Sequence, residues 1–173
     1  PYRMFTSRAE YRTLLRQDNA DLRLTAKSYE LGLAGEERLR KVSKKEEDSR
    51  ALIGFFKKTS FTPDEMNPVL ERVGSRAVRQ GDKLYKVFSR PKVRMQDMLT
   101  LQKVSGYVAE NGFGEDVLEQ AEIEVKYSGY IQKEKSNADK LQRLEHIKIP
   151  NGFDYHKLSS LSYEAREKLS EIR

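Results

Sequence analysis

The chain contains no cysteine. Disulfides, a thiolate nucleophile and cysteine-ligated zinc are therefore excluded within these 173 residues, and the composition suits a reducing, cytoplasmic setting. Histidine is almost as scarce. His146 and His156 are the two present, ten residues apart and without acidic neighbours at metal-ligand spacing, so no metal site is expected. Neither GxGxxG nor GxxxxGK[ST] occurs, which removes the sequence support for a nucleotide loop of those types. No apolar run approaches the ~20 residues that span a bilayer. The most apolar patch, residues 51–56, is interrupted by Gly54. No signal-peptide pattern opens the chain, and its first residues read as the middle of a motif in a longer protein. No Ser/His/Asp grouping stands out. This segment alone is not expected to be a catalytic centre, and no residue is assigned a catalytic or cofactor-binding role.

What the chain has in quantity is charge. Charged residues make up 35% and hydrophobic ones 37%, with a net charge of +6. A basic balance favours nucleic acid, an anionic surface or acidic partners. The apolar residues are few but periodic, which predicts long helices with narrow apolar stripes rather than a thick sandwich core. The fold class expected is mostly α, an elongated helical module in which two long helices pair. A short strand or extended segment is expected at the N-terminus, where Ala9, Tyr11, Thr13 and Leu15 alternate with charged residues.

Local signals place the helices. A short one is expected from Thr25, as its cap, to Leu31, with Gly32 just past the end. The first long helix covers residues 35–58, with Leu39, Val42, Ile53 and Phe56 on one stripe and Glu46 and Ser49 between them. Thr62, Pro63 and Glu65 form a capping box with proline at the first helical position. Shorter helices follow over 82–89, with Leu84, Val87 and Phe88 inward, and over 95–101. Asn111-Gly112 and Gly114 mark a turn. The second long helix covers 115–146, interrupted by Gly129, which suits close approach of another backbone. Pro150 stops the run, and Ser162 caps a last helix. No convincing strand is expected after residue 25.

Two stretches carry functional signals. Arg8, Arg12 and Arg16 are spaced by four, which returns them to one face of a helix or a strand. Together with Arg3 they make a row of guanidinium forks suited to phosphate or carboxylate. The alternative is a solvated face neutralised by Glu10, Asp18 and Asp21. The second stretch is Lys126-Tyr127-Ser128-Gly129-Tyr130-Ile131-Gln132-Lys133. Tyr127 and Tyr130 neighbour each other on a helix, where bases stack on rings and lysines reach phosphates. The alternative is interhelix packing. Arg76 and Arg79, around Gly81, extend the set of basic candidates for RNA contact.

Several stretches, taken in order, resemble the glucose-inhibited division protein A family, also called MnmG. Pro1 to Thr25 (PYRMFTSRAEYRTLLRQDNADLRLT) resembles its signature, and Lys27 to Leu33 continues it. Tyr127-Ser128-Gly129-Tyr130-Ile131 is similar to the family's YxGYI element. Ile149-Pro150, Asp154-Tyr155, Leu161-Ser162 and Glu164 to Leu169 resemble its IPxxxDYxxxxxLSxEAREKL run. The resemblance implies a flavin-dependent, bacterial tRNA-modifying enzyme acting at carbon 5 of the wobble uridine. It implies FAD, NADH and a folate one-carbon donor as cofactors, the GTPase MnmE as partner, and a homodimer, with no membrane association. It covers the helical region that follows the flavin domain, so neither FAD binding nor the chemistry is expected of these residues alone. The expected organisation is a junction segment at 1–24, a helical module at 25–148 and the start of a C-terminal helical subdomain at 149–173. The expected role is tRNA binding and orientation, with a docking arm for MnmE or for homodimerisation as the alternative. A third alternative gives the opening arginines to salt bridges with the flavin domain.

Overall fold

A computed structural model describes residues 11–150 and 152–172. Arg3 and Arg8, and the first ten residues of the expected extended segment, lie outside them. The architecture is mostly helical, as the stripe pattern predicts. Helix α1 spans Ala20–Glu30, α2 Glu36–Lys58, α3 Pro63–Arg72, α4 Leu84–Phe88, α5 Met95–Met98, α6 Gln102–Asn111, α7 Glu115–Glu145 and α8 Tyr163–Glu171. A short 3-10 helix covers Tyr155–Lys157. The chain divides into two compact units, one up to Lys135 and one from Ser136 onward.

The core of the first unit is built from short apolar segments. Leu52 and Phe56 of α2, Met66 and Leu70 of α3, Leu84 and Phe88 of α4, Met98 of α5, Val104 of α6, and Ala121 of α7 are all fully buried. Phe56 stacks on Phe88 with ring centroids 4.7 Å apart, an offset aromatic contact that adds about 0.5–1.5 kcal/mol beyond the area buried. Phe55 stacks on Tyr107 at 4.0 Å and joins α2 to α6.

The two long helices do not pack along one another, contrary to expectation. Helix α2 lies chiefly against α1 and α4. Each of the two is buried over only part of its length. Only the C-terminal half of α2 carries buried residues, Ser49, Leu52 and Phe56. In α7 they are confined to the first third, as Val117, Gln120, Ala121 and Val125. The short helices α3 to α6 supply most of the other buried residues of this core.

The capping signals hold. The Thr62 side chain accepts the Glu65 N–H, and the Glu65 carboxylate accepts the Thr62 N–H, with Pro63 opening α3. Gly32 has φ +72 and Gly74 φ +62, the left-handed conformation that is cheap for glycine alone. At both sites the paired bonds of a Schellman motif close the helix, such as Leu33 N–H to the Ser28 carbonyl at 2.8 Å and Ser75 N–H to the Leu70 carbonyl at 2.8 Å.

Other local expectations are corrected. Helix α1 begins at Ala20, and Thr25 is not its cap but a buried side chain in mid-helix. Burial outweighs the capping preference there, because α2 covers that face and Lys45 pairs with Asp21 at 3.0 Å. Residues 11–15 form a turn rather than a strand: the Tyr11 carbonyl accepts from both Leu14 and Leu15. Two strands do occur after residue 25. Ser60–Phe61 (β1) pairs antiparallel with Asp82–Lys83 (β2), so α4 starts at Leu84 instead of Asp82. They are too short to leave an alternating pattern. Helix α6 has no counterpart among the expected helices, and the 95–101 segment is helical only to Met98.

The second unit holds the end of α7, the 3-10 turn and α8. Ser162 caps α8 by accepting the Ala165 N–H at 3.2 Å. Among its described residues none is fully buried, and Leu141, Leu144, Ile147 and Ile149 are exposed.

Gly129 faces open space, since a Cβ there would meet nothing within 4 Å. The close backbone approach expected at this position is absent. Gly129→Ala is therefore expected to stabilise α7 by about 1 kcal/mol, read as a higher denaturant midpoint; a lower midpoint would mean that another surface packs on this glycine.

Candidate nucleic-acid interface

Three segments of the first unit meet along α7. The turn at residues 11–16 supplies Arg12, Thr13 and Arg16. The loop after α4 supplies Ser89, Pro91 and Arg94. Helix α7 supplies Glu122, Lys126, Tyr127 and Tyr130. Together they line an open groove of about 840 Å³. Four of the lining side chains are cationic and one is a carboxylate.

Local bonds fix the turn. Asn19, just before α1, donates from its side-chain amide to the Leu14 carbonyl at 2.9 Å. Arg16 donates to both carboxylate oxygens of Asp18 and, at 2.6 Å, to the Thr13 carbonyl. Its guanidinium thus braces the turn, and Asp18 neutralises it. It also sits 5.9 Å from the Tyr127 ring centroid, a cation–π distance. Asp21 is taken by Lys45 instead. Arg12 is exposed and has no ion pair or hydrogen bond among the described residues.

The opposite wall depends on Lys126. Its ammonium donates to the carbonyls of Arg90 and Val93. It also lies 5.4 Å from the Phe88 ring centroid. Burial pushes its pKa below the usual lysine range, opposed by Glu122 and Asp97. Lys126 therefore spends its donors on holding the 90–93 loop. Beside it, Glu122 accepts the Met95 N–H at 2.7 Å. Arg94 emerges from this loop exposed, and among the described residues its guanidinium has no partner.

Tyr127 is 47% and Tyr130 68% exposed, with ring centroids 6.3 Å apart. Neither is buried between helices, and both line the groove. Lys133 is exposed on the same side of α7, seven residues beyond Lys126. The groove adjoins a cleft that bears Glu115, Glu119 and Glu122, which limits how far an anion can extend in that direction.

The structure thus brings Arg12, Arg16, Lys126, Tyr127 and Tyr130 together from separate parts of the chain. Arg76 and Arg79 are not among them. They line a smaller pocket of about 390 Å³ with Lys86 and Arg90. Arg90 and Arg94 lie outside the arginine row spaced by four; with Lys92 they form only a short alternation of basic residues with Pro91 and Val93. The Arg90-Pro91 step and the dense basic run through Arg94 were the signals available.

A family model described as the tRNA modifying enzyme MnmG/GidA C-terminal helical domain matches residues 36–135. A second, described as the C-terminal helical bundle of the same enzyme, matches residues 137–173. The tRNA uridine 5-carboxymethylaminomethyl modification enzyme MnmG of Flavobacterium johnsoniae is 58% identical over 98% of this chain, which spans 27% of that relative. The enzyme of the same name from Christiangramia forsetii is 57% identical over the whole chain, which spans 28% of it. Among solved structures, Aquifex aeolicus GidA in its form II crystal superposes with a TM-score of 0.62 at 33% identity, covering 99% of this chain and 26% of that one.

Removing the Lys126 ammonium tests the wall directly. Lys126→Met keeps the aliphatic stem but leaves two carbonyls short of a donor. The expected cost is about 1–3 kcal/mol in denaturant unfolding, with faster amide exchange at 90–94. Unchanged exchange there would show that the loop is held by other contacts.

Proposed function

As this chain belongs to the tRNA-modifying MnmG/GidA family, of which it is the C-terminal helical region, we propose that it binds and orients tRNA for chemistry performed elsewhere in the full-length protein. That chemistry is the flavin-dependent modification of carbon 5 of the wobble uridine. FAD, NADH and the folate donor belong to the rest of the protein in this reading, as do the reacting groups, and the enzyme works in the cytoplasm as a homodimer.

The observation that carries the proposal is the groove itself. Arg12 and Arg94, whose guanidinium groups have no partner among the described residues, stand beside two exposed tyrosine rings. Arginine forks match the oxygens of a phosphodiester, and tyrosine faces stack on unpaired bases. That combination suits a single-stranded or looped RNA segment, which offers both phosphates and unstacked bases. Arg16 and Lys126 shape the groove and raise its potential, while Lys133 extends the basic side of α7. Arg3 and Arg8 continue the same arginine series in sequence and are kept as phosphate contacts on that ground.

A second reading is docking of the GTPase MnmE. The exposed Leu141, Leu144, Ile147 and Ile149 favour it, because an apolar patch of this kind suits a protein partner.

The test uses full-length protein carrying Arg12→Ala with Arg94→Ala, alongside Tyr130→Ala. The arginine pair should lower tRNA affinity about tenfold and reduce the salt slope by about two. Tyr130→Ala should cost about 1–3 kcal/mol while leaving the slope nearly unchanged. Wild-type affinity and slope in all variants would contradict the proposal. Loss of GTPase capture with tRNA binding intact would make the groove a protein-docking surface and contradict the RNA reading.

A further inference from the structure

Outside the groove, the loop between α3 and β2 is unusual in how firmly it is held. It carries Arg76 and Arg79 on the surface, yet main-chain and side-chain bonds fix it along its length. At its start Gly74 closes the Schellman turn, and its carbonyl accepts from Lys92 Nζ at 2.9 Å. In its middle, Asn67 of α3 grips Val78 on both main-chain groups: the side-chain amide donates to the carbonyl at 3.1 Å, and the side-chain oxygen accepts the N–H at 2.8 Å. From the far side, Arg90 donates to the Arg76 carbonyl and to the Ser75 hydroxyl. At its end Gly81 passes β1 so closely that a Cβ would lie 2.7 Å from the Phe61 carbonyl oxygen. Only glycine fits that approach.

An exposed loop with this many anchors has already lost the conformational freedom that binding would otherwise cost. It surrounds a pocket of about 390 Å³, lined by Arg76, Arg79, Gln80, Asp82, Lys86 and Arg90 among others. That lies within the roughly 300–1,000 Å³ range of small-ligand sites. The single carboxylate, Asp82, is matched by Lys86 at 2.7 Å. Neither Arg76 nor Arg79 has a partner among the described residues, and Arg90 uses only one terminal nitrogen. Among the described residues its other donors have no partner. Phe61, which lines the pocket, is buried, so among the described residues the pocket offers a base no aromatic face.

We propose that this pocket is a pre-organised phosphate-binding site in which Arg76, Arg79 and Arg90 converge on one phosphoryl group. It takes the backbone phosphate rather than the base, in contrast to the groove. Two sources carry that chemistry, a phosphodiester of an RNA chain and a free phosphate, and the experiment separates them. The inference rests on the RNA reading only for the first source.

The full-length protein is titrated by calorimetry with inorganic phosphate and, separately, with tRNA over a range of salt. Arg76→Gln combined with Arg79→Gln should abolish saturable phosphate binding, or lower tRNA affinity about tenfold and cut the salt slope by about two. The first result identifies a free phosphate as ligand and the second an RNA backbone. Asn67→Ala keeps every charge and releases the loop, and it should weaken the same probe at least threefold. Wild-type behaviour of the arginine variant toward both probes overturns the inference. So does an effect of the arginines that Asn67→Ala fails to reproduce, because the cations would then act as a diffuse field. Failure of the Arg12 and Arg94 variants leaves these outcomes untouched, so the two proposals fall separately.

Discussion

A half-buried ammonium group must find acceptors, and Lys126 finds them in the carbonyls of Arg90 and Val93. That constraint ties the first third of α7 to the loop after α4. The loop then divides two basic surfaces: Ser89, Pro91 and Arg94 face the groove, while Arg90 reaches the pocket under the 74–81 loop. A lysine that reads in sequence as a phosphate contact is in the structure a brace for residues that are free to make such contacts. The low dielectric that pushes its pKa down also strengthens its bonds to the two carbonyls.

The arginines show the same division of labour. Arg16 and Arg90 spend donors on main-chain carbonyls and hold segments in place. Arg12, Arg94, Arg76 and Arg79 project from the segments so held. Rigid forks on a fixed backbone bind with less entropy lost than flexible ones would. The two basic surfaces differ in one respect that matters for recognition. The groove has exposed Tyr127 and Tyr130, and among the described residues the pocket has no exposed ring. In the proposed account the groove holds looped RNA by its bases and backbone, and the pocket registers a phosphate alone.

The sequence made the helical class legible, and with it every feature set by neighbours a few residues apart. The Thr62–Glu65 box, the Ser162 cap and the glycines closing α1 and α3 all follow from local bonding. Features set by distant partners were not legible. Thr25 has a capping side chain, but α2 buries it. The long helices do not pack along one another, and the short helices α3 to α6 supply much of the core. At the site, the Arg12–Arg16 spacing and the Tyr127–Tyr130 pair mark stretches that line one groove. Their convergence with Arg94 depends on the Lys126 tie across more than thirty residues, which no spacing pattern records.

The central claim is that the face of α7 bearing the two tyrosines meets RNA. Oxidative footprinting of the full-length protein, with and without tRNA, tests it most directly because Tyr130 is 68% exposed. The account predicts that modification of Tyr130 and Tyr127 slows several-fold when tRNA is bound. Equal rates in the free and bound protein would contradict it.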